Sequence, residues 1–210
     1  MRTSTYNAAR LVYWYLRLNG FLQIENFIVH DDSSHLPRAE ADMIGVRFSR
    51  RKELDMEDDV HVVSNGSFAQ VVIAEVKKGL CSINRAWRDP DRQIVQRVLR
   101  AIGCFGEDDL ENAAQALYKN GCFQTEAVSL QWAAFGDRKS DNLPKEVRQI
   151  TFDEALDFLF NRFRSYHKQK SSLAPYWPED GQCLASLARD AKDLPEFCGK
   201  CRPRFGLPVR

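Results

Sequence analysis

Three residues on two neighbouring runs of the chain have the types and spacing to do chemistry: Asp42, Glu75 and Lys77. Glu75-Val76-Lys77 closes an otherwise apolar run, Val71-Val72-Ile73-Ala74, and the two-residue period of a strand sets the carboxylate and the ammonium side by side on one face. Charges are costly to bury unless they are paired or hold an ion, so such an ending to a buried strand asks for a chemical reason. Asp42 lies on the preceding strand, and hairpin pairing would bring its carboxylate toward Glu75. Two facing carboxylates with a cation beside them suit a hard divalent ion with oxygen ligands, magnesium or manganese, with Lys77 placed to orient or activate a water. The plainer alternative is a solvated strand face on which Glu75 and Lys77 form a surface ion pair of little energetic weight.

The elements that must position these residues follow from the hydrophobic pattern. Ala8, Leu11, Val12, Tyr15, Leu16 and Leu18 recur at helical spacing and stop at Asn19-Gly20, which predicts a first helix over residues 4–19. Phe27, Ile28 and Val29 predict a short strand ending in the turn-forming cluster of residues 30–34. A second strand is expected from Glu40 to Phe48, with Asp42, Ile44, Val46 and Phe48 on one face and Ala41, Met43, Gly45 and Arg47 on the other. The strand Ala69 to Lys77 is apolar on both faces, which predicts a central position covered from both sides. After Pro90 an amphipathic helix to Ile102 is expected, with Arg92, Gln93, Gln96, Arg97 and Arg100 facing outward. Residues 108–119 read as a helix closed by Asn120-Gly121, and Glu126 to Phe135 as a further strand. Thr151 and Glu154 form a capping box at the head of a helix to Tyr166, its Phe152, Phe160 and Phe163 being core residues. Five of the eight prolines lie at 175, 178, 195, 203 and 208, which predicts an irregular tail with one short helix near 182–192.

The elements read so far run α-β-β-β-α-α-β, and an acidic residue on one strand with Glu-x-Lys on the next, inside α-β-β-β-α-β order, resembles the PD-(D/E)XK nuclease superfamily. Residues 4–135 carry the likeness, through Arg38-Ala39-Glu40-Ala41-Asp42 and Val72-Ile73-Ala74-Glu75-Val76-Lys77. Ala41 stands where the family's proline would be. The resemblance implies an α/β, restriction-endonuclease-like core with a central mixed sheet flanked by helices, over residues 1–170, followed by a Pro-rich extension over 171–210. It implies that Asp42, Glu75 and the Val76 carbonyl hold magnesium or manganese and that Lys77 assists the attacking water. Relatives often add an acidic residue from the first helix; residues 4–19 contain none, and Glu25 is the nearest candidate. Some place a glutamine on the helix after the lysine strand, a role open to Gln93 or Gln96. Asn84 and Trp87 would shape the groove, and Arg85, Arg88, Arg92, Arg97 and Arg100 are placed to meet phosphates or to form a solvated helix face. Gln93 belongs with Arg85, Arg88 and Arg92 as a candidate nucleic-acid contact.

Composition narrows the setting. The 210 residues are 44% hydrophobic and 28% charged, with a net charge of +1, so nucleic-acid binding would rest on a local patch. There is no apolar run of membrane-spanning length, and the N-terminus lacks the zones of a secretory signal, so a cytoplasmic protein is expected. Six cysteines are expected to be reduced; Cys198-Gly199-Lys200-Cys201 has half of a zinc-knuckle spacing, which only Cys183 and the distant His167 would complete. His30, His35, His61 and His167 show no ligand spacing. The activity implied is a metal-dependent DNA endonuclease, in a bacterial defence or restriction system whose partner protein, or a homodimer, supplies target recognition or activation. A silent module that binds nucleic acid or scaffolds a complex is the alternative.

Overall fold

The computed structural model describes residues 5–31, 34–51 and 56–209. Its first element, α1 (Ala8–Leu18), is capped by Asn7, whose side chain accepts from the Arg10 amide. The helix stops where Gly20 takes a φ of 85°, a conformation that costs glycine little. Two long strands follow, β1 (Leu22–Asp31) and β2 (Ser34–Arg47), and then β3 (Ala69–Val76). Three-ten turns at Arg85–Arg88 and Pro90–Arg92 lead into α2 (Ile94–Ile102) and α3 (Glu107–Asn120). The strands β4 (Cys122–Gln124), β5 (Val128–Gly136) and β6 (Arg148–Thr151) complete the sheet. The chain closes with α4 (Phe152–Ser165), α5 (His167–Ser171), a three-ten turn Ala174–Tyr176, α6 (Glu179–Asp190) and α7 (Leu194–Arg204).

The fold is α/β, with a mixed, open, six-stranded sheet in the order β1-β2-β3-β5-β4 and β6 beside the far end of β5. β1, β2 and β3 pair antiparallel, whereas β3 and β5 pair parallel, with α2 and α3 in the crossover. β3 is central and buried along Val71–Glu75, as its two-sided apolar pattern predicts. One side of the sheet, with Met43, Val72 and Ala74, packs on α1, α4, α6 and α7. The other, with Ile44, Val71 and Ile73, packs on α2 and α3 through Val95, Val98, Leu99, Leu110 and Leu117.

The tail is more ordered than its prolines predict. Its helices α6 and α7 bury Leu184, Ala188, Phe197 and Cys201 in the same core as α1 and α4. Arg202, buried on α7, donates to Asp137 at 3.0 Å beyond β5 and also pairs with Asp153 at the start of α4. Two of its prolines sit where no helical N–H is required, Pro178 as the cap of α6 and Pro195 in the first turn of α7, while Pro203 falls inside α7 in its last turn. The capping box of α4 forms as expected, with Thr151 and Glu154 bonded to each other's amides. No helix of the described residues is long and apolar enough to cross a membrane.

Candidate active site

Asp42 stands at a break in the sheet. The β2–β3 ladder runs from Arg47↔Gln70 to Met43↔Ala74 and ends there, one position short of an Asp42–Glu75 pair. On the other side, the β1–β2 ladder passes from Glu25↔Met43 to Phe27↔Ala41 without a pair at Asp42. The residue that would face it, Asn26, has a φ of 51°, an uncommon conformation that asparagine tolerates better than most. Strict alternation along β2 fails at the same point: Met43 lies in the α1-side core, but Ala41, expected on its face, lies in the α2–α3 core.

Freed from the ladder, the Asp42 carboxylate replaces it. The Val76 N–H donates to Asp42 Oδ2 at 2.7 Å. The N–H and C=O of an extended residue point to the same side of a strand, so the Val76 carbonyl also faces the β2 side. Asp42, Glu75 and Lys77 come together just past the end of the β2–β3 ladder. Lys77 Nζ lies 2.8 Å from Glu75 Oε2 and 3.7 Å from Asp42 Oδ2, so one ammonium bridges two carboxylates.

Burial distinguishes this cluster from a surface ion pair. The Glu75 side chain is 1% exposed, against 31% for Asp42 and 37% for Lys77. Burial pushes the Glu75 carboxyl up to about 7, and the negative charge of Asp42 adds to the shift, while Lys77 works against it. Burial also opposes the Lys77 ammonium, but its hydrogen bond and attraction to Glu75, with Asp42 behind, raise its pKa above the ordinary lysine value. Glu75 Oε1 is buried without a hydrogen-bond partner. The Asn84 amide lies near enough to favour the ionised form but closes no bond to that oxygen. A partnerless buried carboxylate oxygen, a second carboxylate and a main-chain carbonyl form an oxygen donor set that fits a hard divalent cation.

The loop after Lys77 is held behind the site by main chain. Lys77 N–H donates to the Phe135 carbonyl at 2.9 Å, Asp137 N–H to Gly79 at 2.7 Å and Cys81 N–H to Arg138 at 2.8 Å. A Cβ at Gly136 would stand 2.7 Å from the Cys81 nitrogen and 2.8 Å from the Gly79 oxygen, so this approach admits glycine alone. Farther along, Trp87 is fully buried against Trp132, and its indole N–H donates to the Glu40 carbonyl at 3.4 Å. That bond ties the Arg85–Arg88 turn to β2 two residues before Asp42. Trp87 is therefore an anchor of the core, and Asn84 caps the turn by accepting from the Ala86 amide.

Arg85 and Arg88 are exposed and make no ion pair with a described residue. Arg92 is exposed but held by Asp89 at 3.2 Å, and Arg100 by Glu107 at 3.3 Å. Gln93 is exposed at the head of α2 with a φ of 51°, whereas Gln96, expected on the outer face, is buried and accepts from the Tyr118 hydroxyl at 3.1 Å. That bond commits Gln96 to the α2–α3 contact. Glu25 is also spoken for. It lies within β1 opposite Met43, on the α1 side, and pairs with Arg10, which in turn holds Asp180 of α6. It does not join the triad.

Among the described residues no group of three or more His, Cys, Asp or Glu is arranged to hold a metal ion. The six cysteines are free thiols, and Cys183 and Cys198 come close enough to Cys201 to raise its pKa together with burial. The side chains of His30 and His35 lie outside the described residues. The sequence reasoning missed Asn26, whose signal was an asparagine between the apolar residues Ile24 and Ile28. No protein-family model matches this chain, and no match emerges among curated proteins or solved structures.

Proposed function

We propose that this chain is a metal-dependent nuclease with a restriction-endonuclease-like core, hydrolysing phosphodiester bonds in DNA. The observation that carries the reading is the buried, partnerless Glu75 oxygen beside Asp42 and Lys77 at a break in the sheet. A solvated Glu-x-Lys pair would show neither the burial nor the orphan oxygen. The preference for DNA rests on the likeness to PD-(D/E)XK nucleases.

In this reading Asp42, Glu75 and the Val76 carbonyl hold magnesium or manganese, whose chemistry there is to neutralise phosphate charge and acidify water. Lys77, now shared between the carboxylates, turns its ammonium to the attacking water and orients it. Asp42 fixes Val76 through the amide, so the carbonyl, both carboxylates and the lysine keep one relative geometry. Arg85 and Arg88 hold phosphates of the strand. Target choice falls to a partner protein or a second copy, as for an effector subunit of a bacterial restriction or antiviral system.

The test is cleavage of plasmid, linear and single-stranded DNA and of RNA, with magnesium or manganese, by wild type, Lys77→Ala and Asp42→Ala. Cutting by wild type alone supports the assignment and names the substrate. Equal cutting by all three proteins sinks it, and no cutting by purified wild type in any condition favours a silent nucleic-acid-binding or scaffolding subunit.

A further inference from the structure

A second charged feature lies in the helical layer on the other side of the sheet. Residues of α4, α5, the turn Ala174–Tyr176 and α6 enclose a cavity of about 520 Å³. Its polar rim carries Arg164, His167, Lys170 and Arg189, and its apolar wall includes Phe163 and Pro175. No carboxylate of the described residues lines it, whereas each other described cavity is lined by at least one, such as Asp59 and Asp157 in one and Asp180 in another.

The four basic residues are not equivalent. Arg189 is already neutralised by Asp190 at 2.8 Å. Arg164 has no carboxylate partner among the described residues, yet it is held in place: Nη1 donates to the Ala191 carbonyl at 2.9 Å and the guanidinium lies over the Phe160 ring. A guanidinium fixed by neutral groups keeps its remaining donors and its full charge for a ligand, with little ordering left to do. Lys170 lines the same cavity and is only 5% exposed.

We infer that this cavity binds a phosphate-bearing small molecule of about the size of a nucleoside monophosphate, with the phosphate on Arg164, His167 and Lys170. The volume lies within the roughly 300–1,000 Å³ typical of small-molecule sites. Charge-assisted bonds from arginine suit a phosphate, and the Phe163–Pro175 wall with the Gln182 amide suits a heterocycle. The triad lies toward the other layer: Ile73, two residues before Glu75 on the same face of β3, packs on α2 and α3, while Phe163 belongs to the α1–α4–α6–α7 core. A strand bound at the triad would not fill this pocket.

Calorimetric titration of the full chain with AMP, adenosine and inorganic phosphate, in EDTA to silence the triad, tests the inference. Saturable AMP binding is expected, at least about tenfold tighter than adenosine and displaced by inorganic phosphate. The double variant Arg164→Gln/His167→Gln, both exposed positions, should lose about tenfold in AMP affinity with an unchanged thermal midpoint. Lys77→Ala should bind AMP as wild type does. The inference is overturned if neither AMP nor phosphate binds saturably, if adenosine binds as tightly as AMP, or if a folded double variant keeps full affinity. Loss of binding in Lys77→Ala would place the anion at the triad and overturn it equally.

Discussion

Replacing Glu75 with Gln should stabilise the metal-free protein, and the gain should grow with pH. In the native chain burial holds the Glu75 carboxyl up to about 7, whereas an unfolded chain releases that proton near the ordinary value of 4.5. Between these values the native state carries a proton that the unfolded state has lost, so wild-type stability falls as pH rises through the window. Below 4.5 both states are neutral and the charge penalty is absent; above about 7 it is complete. At about 1.4 kcal/mol per pH unit the interval bounds the penalty at about 3.5 kcal/mol. Gln avoids it at every pH and keeps an oxygen to accept from Lys77, which lies 2.8 Å from Oε2 in wild type. Urea unfolding in EDTA should therefore show the variant gaining about 1–3 kcal/mol at pH 8, a midpoint shift of roughly 1 M, and little or nothing at pH 4.5. Magnesium at pH 8 should stabilise wild type, by linkage to binding, and leave the variant unmoved. A gap between the two proteins that does not change with pH, or a variant weaker than wild type at pH 8, would refute the buried-charge reasoning.

Other expectations follow from the same geometry. Lys77→Ala should lower the rate of DNA cleavage by at least about 100-fold with the fold intact by circular dichroism, since a water-orienting group contributes roughly that much. Asp42→Asn keeps an oxygen for the Val76 amide and should leave stability within about 0.5 kcal/mol while removing magnesium-dependent cleavage; Asp42→Ala should also cost about 1–2 kcal/mol in urea unfolding, because it strips the amide of its acceptor. Gly136→Ala should destabilise by about 2 kcal/mol or more, as its Cβ would meet main-chain atoms that cannot turn aside; an unchanged unfolding midpoint would show that the loop behind Lys77 relaxes freely. Phe197→Ala should cost about 3–5 kcal/mol, and a cost near zero would show that α7 is dispensable to the core.

Much of the framework was legible because it is local. α1, β3 and the capped start of α4 declare themselves within a dozen residues, through apolar period, Asn-Gly endings and the Thr151–Glu154 pair. The short strands β4 and β6 escaped notice because three or four residues carry too little pattern, and the tail was misjudged because a proline count ignores where each proline sits. Gln96 was expected to face outward because its helix was judged from one apolar stripe; α3 supplies a second surface that buries it.

For the candidate site the division is sharp. Sequence determined which groups lie on the strands and that Glu75 and Lys77 share a face, since strand period follows from backbone geometry alone. It also set the order of elements that carries β3 to the middle of the sheet. Register, the break in both ladders at Asp42, the partnerless Glu75 oxygen and the separation of Glu25 from the triad belong to the tertiary structure. Each depends on which distant segment lies alongside, and in a folded chain it is those neighbours that decide how much water, hydrogen bonding and opposite charge a carboxylate receives.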